Sequence, residues 1–143
     1  MVPPSVLAAY AESTLAKKLT LRPDSVVALI DAPDGFAEWL LSLSPQVQLE
    51  DRPNPKCNLL FWFVRSAIEF DHSIDQIARW VRKSSLWILW TKRSAGGDPS
   101  LSPERLRTAA MALGLVDYKI CAVDKTWSGL LFTRRKEPAP RLR

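Results

Sequence analysis

Histidine, cysteine and glycine are scarce in this 143-residue chain, with one, two and five copies respectively. The single histidine, His72, has no second imidazole to relay protons with, and a zinc site would have to be completed largely by carboxylates. Cys57 and Cys121 lie far apart without a Cys-x-x-Cys pair. Both fall in apolar surroundings and read as small buried hydrophobes, so neither a disulfide nor a metal is expected. The few glycines form no G-x-G-x-x-G turn, no phosphate-binding P-loop and no G-x-S-x-G nucleophile elbow. Nicotinamide or flavin binding, nucleotide hydrolysis and serine-hydrolase chemistry therefore lack their usual sequence marks. Long apolar runs are missing too. The longest, Leu59–Val64, falls far short of the ~18 residues a membrane span needs. Ala9-Tyr10-Ala11 matches a signal-peptidase site only superficially, since no Lys or Arg precedes it and the apolar stretch before it is short. A soluble, intracellular chain is expected.

What is present is a composition for one folded domain: 47% apolar and 24% charged residues. The net charge of +5 is uneven along the chain. The last ten residues hold Arg134, Arg135, Lys136, Arg141 and Arg143 against Glu137, a balance of +4 that leaves +1 for the other 133. A nucleic-acid-binding domain is expected to spread basic residues over a folded face, whereas this charge reads as a solvated end. The organisation expected is a flexible N-terminus over 1–12, one domain over 13–135, and a basic, proline-containing tail over 136–143.

Ser13 precedes a short helix carrying Leu15, Ala16 and Leu19, which Pro23 and Asp24 end. Val26–Ile30, Val47–Leu49, Leu59–Val64 and Leu86–Trp90 read as strands, and their nearly continuous apolar character points to a parallel sheet covered on both faces. Helices follow over Phe36–Leu43 and, through Ile74, Ile77, Ala78 and Val81, after a cap at either Ser66 or Ser73. His72, read as lying just before such a cap, is expected to be structural. Ser102 caps a further helix with Pro103 at its first position and Gly114 past its end. Val116–Val123 and Leu130–Thr133 read as two strands joined by a turn near Thr126–Gly129. The order α-β-α-β-β-α-β-α-β-β specifies a three-layer, Rossmann-like open sheet of the methyltransferase-like kind, mostly parallel and ending in an antiparallel hairpin.

In such sheets ligands gather beyond the carboxyl ends of the parallel strands. That edge collects Asp31, Asp34 and Gly35; Glu50; Ser66; Lys92, Arg93 and Ser94; and Asp124 with Trp127, which are the candidate ligand-binding residues. Arg65, Asp51 and Thr126 fall there as well. The first loop, Asp31-Ala32-Pro33-Asp34-Gly35, carries one glycine and a proline with no N–H, poor equipment for a pyrophosphate. Glu50 lies about 20 residues on, where ribose-binding acids of this fold class sit. Lys92-Arg93-Ser94-Ala95-Gly96-Gly97 could cradle an anion through backbone N–H groups or serve as a mobile surface loop whose glycines permit the turn. Trp127, placed in a turn, either stacks on a ligand or folds back over the end of the sheet. No catalytic residue is assigned.

Leu15-Ala16-Lys17-Lys18-Leu19, Val26–Phe36, Leu86–Ser94 with its Trp-x-x-Trp-x-Lys core, and Gly114–Asp117 through Lys119, Cys121-Ala122, Asp124 and Thr126-Trp127-Ser128-Gly129-Leu130 carry a resemblance. Over roughly residues 13–135 the chain resembles a small bacterial family of proteins of unknown function with a Rossmann-like, methyltransferase-like core. It departs from that pattern at Thr91, where proline is expected, and at Gly96-Gly97-Asp98. The resemblance implies a bacterial, cytoplasmic protein of one α/β domain and transfers no catalytic residues. Three readings follow. The first is a non-catalytic module binding a small ligand or a protein partner, without a cofactor. The second is a divergent S-adenosylmethionine-dependent methyltransferase. The third, least favoured, is weak nucleic-acid binding through the basic tail with Lys92 and Arg93; no membrane partner is expected.

Overall fold

The computed structural model describes residues 14–136. Ser13, the segment 1–12 and most of the tail expected over 136–143 lie outside them. Helix α1 covers residues 14–18. Then follow β1 (Val26–Ile30), α2 (Phe36–Leu43), β2 (Gln48–Glu50), β3 (Leu59–Val64), α3 (Ala67–Trp80), β4 (Ser85–Thr91), α4 (Pro103–Ala112), β5 (Leu115–Ala122) and β6 (Trp127–Arg134). The expected order of elements is the order found.

The strands form one six-stranded sheet in the order β2-β1-β3-β4-β6-β5. β2, β1, β3 and β4 are mutually parallel, and β6 runs antiparallel to both neighbours. The C-terminal hairpin is therefore not appended to the sheet: its second strand is inserted between β4 and β5. No helix joins β2 to β3. Asn58 steadies that short connection, its side-chain oxygen accepting from Val26 N at 3.0 Å while its own N–H donates to Val26 O at 2.9 Å.

Every residue of β3 is buried. Leu60, Trp62 and Val64 face a core shared with Phe70, Ile74 and Ile77 of α3 and Leu106 and Ala110 of α4. Leu59, Phe61 and Phe63 face the opposite core, with Leu19, Phe36 and Leu40. Each large apolar side chain so buried contributes about 1.5–3 kcal/mol relative to exposure. Continuous apolarity was thus the proper sign of a strand covered on both sides. On the second face the Trp87 indole N–H donates to Leu19 O at 3.0 Å, fixing the end of α1. Gly129 of β6 makes room for that indole: a Cβ there would lie 3.1 Å from Trp87 Cε3 and 3.4 Å from Leu89 Cγ.

The cap of α3 is Ser66, whose hydroxyl accepts from Glu69 N at 3.1 Å. Ser73 and His72 therefore lie inside a single long helix, and His72 is an exposed residue of that helix rather than a neighbour of its cap. Two copies of a capping pattern stood seven residues apart. The apolar positions Ala67 and Phe70, both buried, let the earlier one nucleate. The expected β-turn also shifts: Trp127–Gly129 already belong to β6, and the chain reverses over 123–126.

At the other end of β6, Arg134 donates from Nε to Val81 O at 2.8 Å, from Nη1 to Leu113 O at 2.9 Å, and from Nη2 to Ala78 O. Arg135 adds N–H bonds to Gly114 O at 2.8 Å and, from Nη2, to Met111 O at 3.0 Å. These two arginines, counted with the solvated tail on composition alone, instead cap the carboxyl ends of α3 and α4, where unpaired carbonyls and the helix dipole favour a cation. Replacing Arg134 by Met is expected to lower the unfolding free energy by about 2–3 kcal/mol. Lys at this position restores less than half, since an ammonium lacks the planar fork that reaches both helices. Gly129→Ala is expected to cost about 1–3 kcal/mol through overpacking against Trp87. Urea unfolding followed by tryptophan fluorescence measures both.

Candidate functional site

The parallel strands bring residues 31–35, 50–51, 65–66 and 92–94 to one edge of the sheet, and the antiparallel start of β6 adds 124–127. Within that edge, contacts join three residues from different strands. Arg65, just past β3, donates from Nη1 to the backbone carbonyl of Asp31 at 2.9 Å. Its guanidinium carbon lies 5.5 Å from the centroid of the Trp127 ring, in cation–π range. Asp31 adopts a left-handed backbone, φ 56°, which places a strained residue at the point where β1 leaves the sheet. Gly35, also left-handed, caps α2 without a side-chain hydrogen bond.

Trp127 is only 7% exposed. Its ring meets Phe63 edge-on at a centroid distance of 5.0 Å, and Phe63 meets Phe36 likewise at 4.6 Å. Of the two roles open to it in sequence, it adopts the one that covers the end of the sheet. Asp124 shapes the approach: its Oδ1 accepts from Thr126 N and from Trp127 N, each at 2.8 Å.

The loop after β4 is a folded turn. Lys92 N donates to Thr126 O at 2.7 Å, and a 3₁₀ turn follows over Arg93–Ala95. The N–H groups of Ala95, Gly96 and Gly97 donate to Lys92 O, Arg93 O and Lys92 O. These donors, which an anion cradle would direct at a ligand, are engaged by the loop's own carbonyls. Gly97 is required for closeness: a Cβ there would sit 2.0 Å from Thr91 O. Arg93 donates from Nη2 to Pro99 O at 3.3 Å, and Ser94 is exposed.

Asp98 is the functional-looking acid that sequence reading missed. Its Oδ2 accepts from Ala67 N at 2.8 Å and its Oδ1 from Ser100 N at 2.8 Å. A carboxylate from the β4–α4 loop thus occupies the positive end of α3, where an anionic ligand could otherwise bind. Those two backbone donors, Ala67 first, hold its carboxyl below the usual value of 3.8. The Asp98-Pro99-Ser100 pattern was the available signal, because Asp before Pro starts turns.

The remaining candidates stand apart. Glu50, half-buried at the end of edge strand β2, accepts a bond from Gln48 Nε2 at 3.1 Å. Asp34 is exposed. Cys57 and Cys121 are free and buried, and desolvation raises both thiols, which keeps them protonated and unreactive. Among the described residues no group of three or more His, Cys, Asp or Glu side chains could hold a metal ion, and no helix is long and apolar enough to cross a membrane.

No protein-family model matches the chain, and no curated protein matches it in sequence. Solved structures do share its fold. A SAM-dependent methyltransferase from Aquifex aeolicus superposes with a TM-score of 0.57 at 12% identity, covering 91% of this chain and 93% of that one. A protein designated a type 11 methyltransferase, from Sulfolobus solfataricus, gives 0.59 at 14% identity, with coverage of 92% and 95%. Human N-acetylserotonin methyltransferase in complex with SAM gives 0.59 at 10% identity over 91% of this chain. The chain spans about half the length of that human enzyme, 52%. At these identities the likeness defines a methyltransferase-like Rossmann fold and nothing finer.

Tested against S-adenosylmethionine, the group such folds imply, the β1–α2 turn does not fit. It lacks the run of glycines that lets a ligand approach the backbone, Pro33 offers no N–H, and the Asp31 carbonyl is already bonded to Arg65. Asp98 also makes the stability of the fold depend on pH. With its carboxyl lowered by folding, its stabilising contribution is complete above its ordinary value and fades as pH falls through the lowered one. Urea midpoints of the wild type and Asp98→Ala are therefore expected to differ by a constant amount from pH 7 to about 5, then converge at more acid pH.

Proposed function

We propose that this protein is a non-catalytic binding module on a methyltransferase-like frame, one that takes a small ligand or a protein partner at its carboxyl edge in place of a methyl donor. The observation that supports this reading most directly is Arg65. Its side chain runs from the end of β3 to the carbonyl of Asp31 on one side and the ring of Trp127 on the other. Protein groups thereby use the cofactor turn for internal cohesion. The surface left for a visitor is polar and of mixed sign, with Asp34, Arg93, Ser94 and Asp124 exposed. Such a surface suits hydrogen-bonding partners more than an apolar ligand. The bacterial, cytoplasmic setting belongs to the same proposal and rests on the family resemblance.

A divergent methyltransferase is the second reading, favoured by Glu50, whose half-buried carboxylate closes β2 at the position where ribose hydroxyls are bound in this fold class. Calorimetry separates the two. Titration with S-adenosylmethionine and S-adenosylhomocysteine at millimolar concentration is expected to release no heat, placing any affinity weaker than about 4 kcal/mol. A saturable isotherm that disappears in Glu50→Ala would overturn the first reading in favour of the second.

A further inference from the structure

The opposite end of the sheet holds charge that no reading of the linear sequence had collected. The amino ends of β3, β4 and β5 meet the carboxyl end of β6 there, beside the end of α3. Two hollows open on this rim, of about 630 and 510 Å³, with Arg82, Lys83 and Ser84 lining both. Six cations line them together, namely Arg79, Arg82, Lys83, Arg134, Arg135 and Lys136, and among the described residues no Asp or Glu does. The two segments lie some fifty positions apart in sequence, which is why the basic residues looked confined to a tail.

Arg134 is committed to helix carbonyls, and Arg135 in part. Those bonds neutralise the negative ends of α3 and α4, which would otherwise repel an anion. Arg79, Arg82, Lys83, Arg135 and Lys136 remain exposed, and none forms an ion pair among the described residues, where the two pairs are Arg105–Asp71 and Arg107–Asp117. Asp75, one turn before Arg79, makes no ion pair with it. Ser84, 7% exposed, lies where the two hollows meet. Set among these cations, Trp80 lines the larger hollow and is 40% exposed, unusual for an indole at a helix end.

A small phosphorylated metabolite calls for donors converging on one point. Here the cations are strung across two adjoining hollows, with an aromatic face beside them. We propose that this rim binds single-stranded nucleic acid, with Arg82, Lys83, Arg135 and Lys136 on backbone phosphates and a base stacked on Trp80. The inference is independent of what occupies the other edge of the sheet.

Fluorescence anisotropy of the full chain with fluorescein-labelled 12-nucleotide oligo-dT and oligo-U, from 50 to 300 mM NaCl, tests it. Binding is expected to weaken linearly in log–log form with salt. The double charge reversal Arg82→Glu/Lys83→Glu is expected to cost at least tenfold in affinity and to flatten the salt slope by about 1.4, or 0.7 per contact. Trp80→Ala is expected to lose about 5- to 150-fold with the slope unchanged. Lys125→Glu, in the turn at the opposite edge, is expected to change neither. Thermal melts establish that each variant folds, and Arg82→Gln/Lys83→Gln stands in should the reversal not fold. Absence of binding at 50 mM NaCl overturns the proposal, as does affinity indifferent to the Arg82/Lys83 changes. Heparin binding as tightly as the oligonucleotides, with Trp80→Ala without effect, would show a bare polyanion surface and overturn it equally.

Discussion

One guanidinium, that of Arg134, ties the carboxyl ends of two helices to the end of a strand. Helices end with carbonyls that have no intrahelical partner, and a sheet covered by helices tends to bury some of them. Here α3 and α4 end close together, and Arg134 meets both from the last residue of β6. A planar fork with several donors can satisfy two helix ends at once, which water in a half-buried crevice does less well. The contact accompanies the register that β6 takes in pairing with β4 and β5, for the strand ends where its arginine reaches Ala78, Val81 and Leu113. With β6 so placed, Gly129 falls opposite Leu89 and beside the Trp87 ring, and Trp127 falls against Phe63.

The same economy operates at the carboxyl edge, with charges of both signs. The α3 amino end receives Asp98 from a neighbouring loop, and the β1 exit receives Arg65 from a neighbouring strand. Side chains here discharge roles that a bound molecule often fills in open α/β sheets.

The element order was legible because it rests on local signals: apolar runs too short for helices, serine caps with Pro103 behind one of them, and turn residues between. Sheet order was less so. That β6 slips between β4 and β5 depends on long-range pairing, and a short connecting turn establishes only that the two strands are antiparallel. The carboxyl edge could be enumerated from strand ends, Asp31, Glu50, Lys92 and Asp124 among them, because topology alone puts them there. What could not be read was which groups are already engaged. Asp98 stood out only as part of a departure from the family pattern, Trp127 stood equally for a ligand platform and a core plug, and Arg134 counted as tail charge. In each case the deciding partner lies at least 20 positions away. Pattern reasoning sees neighbours at three or four residues; it does not see a carbonyl on another helix.

The insertion of β6 has a consequence for synthesis. As a nascent chain leaves the ribosome, β4 emerges with one flank bare, presenting Trp87 and Leu89 beside unmated backbone donors and acceptors. Nothing made before residue 127 pairs with that flank in the finished sheet. Until the eight residues of β6 arrive, the growing polypeptide carries an adhesive rim of the sort that chaperones shield.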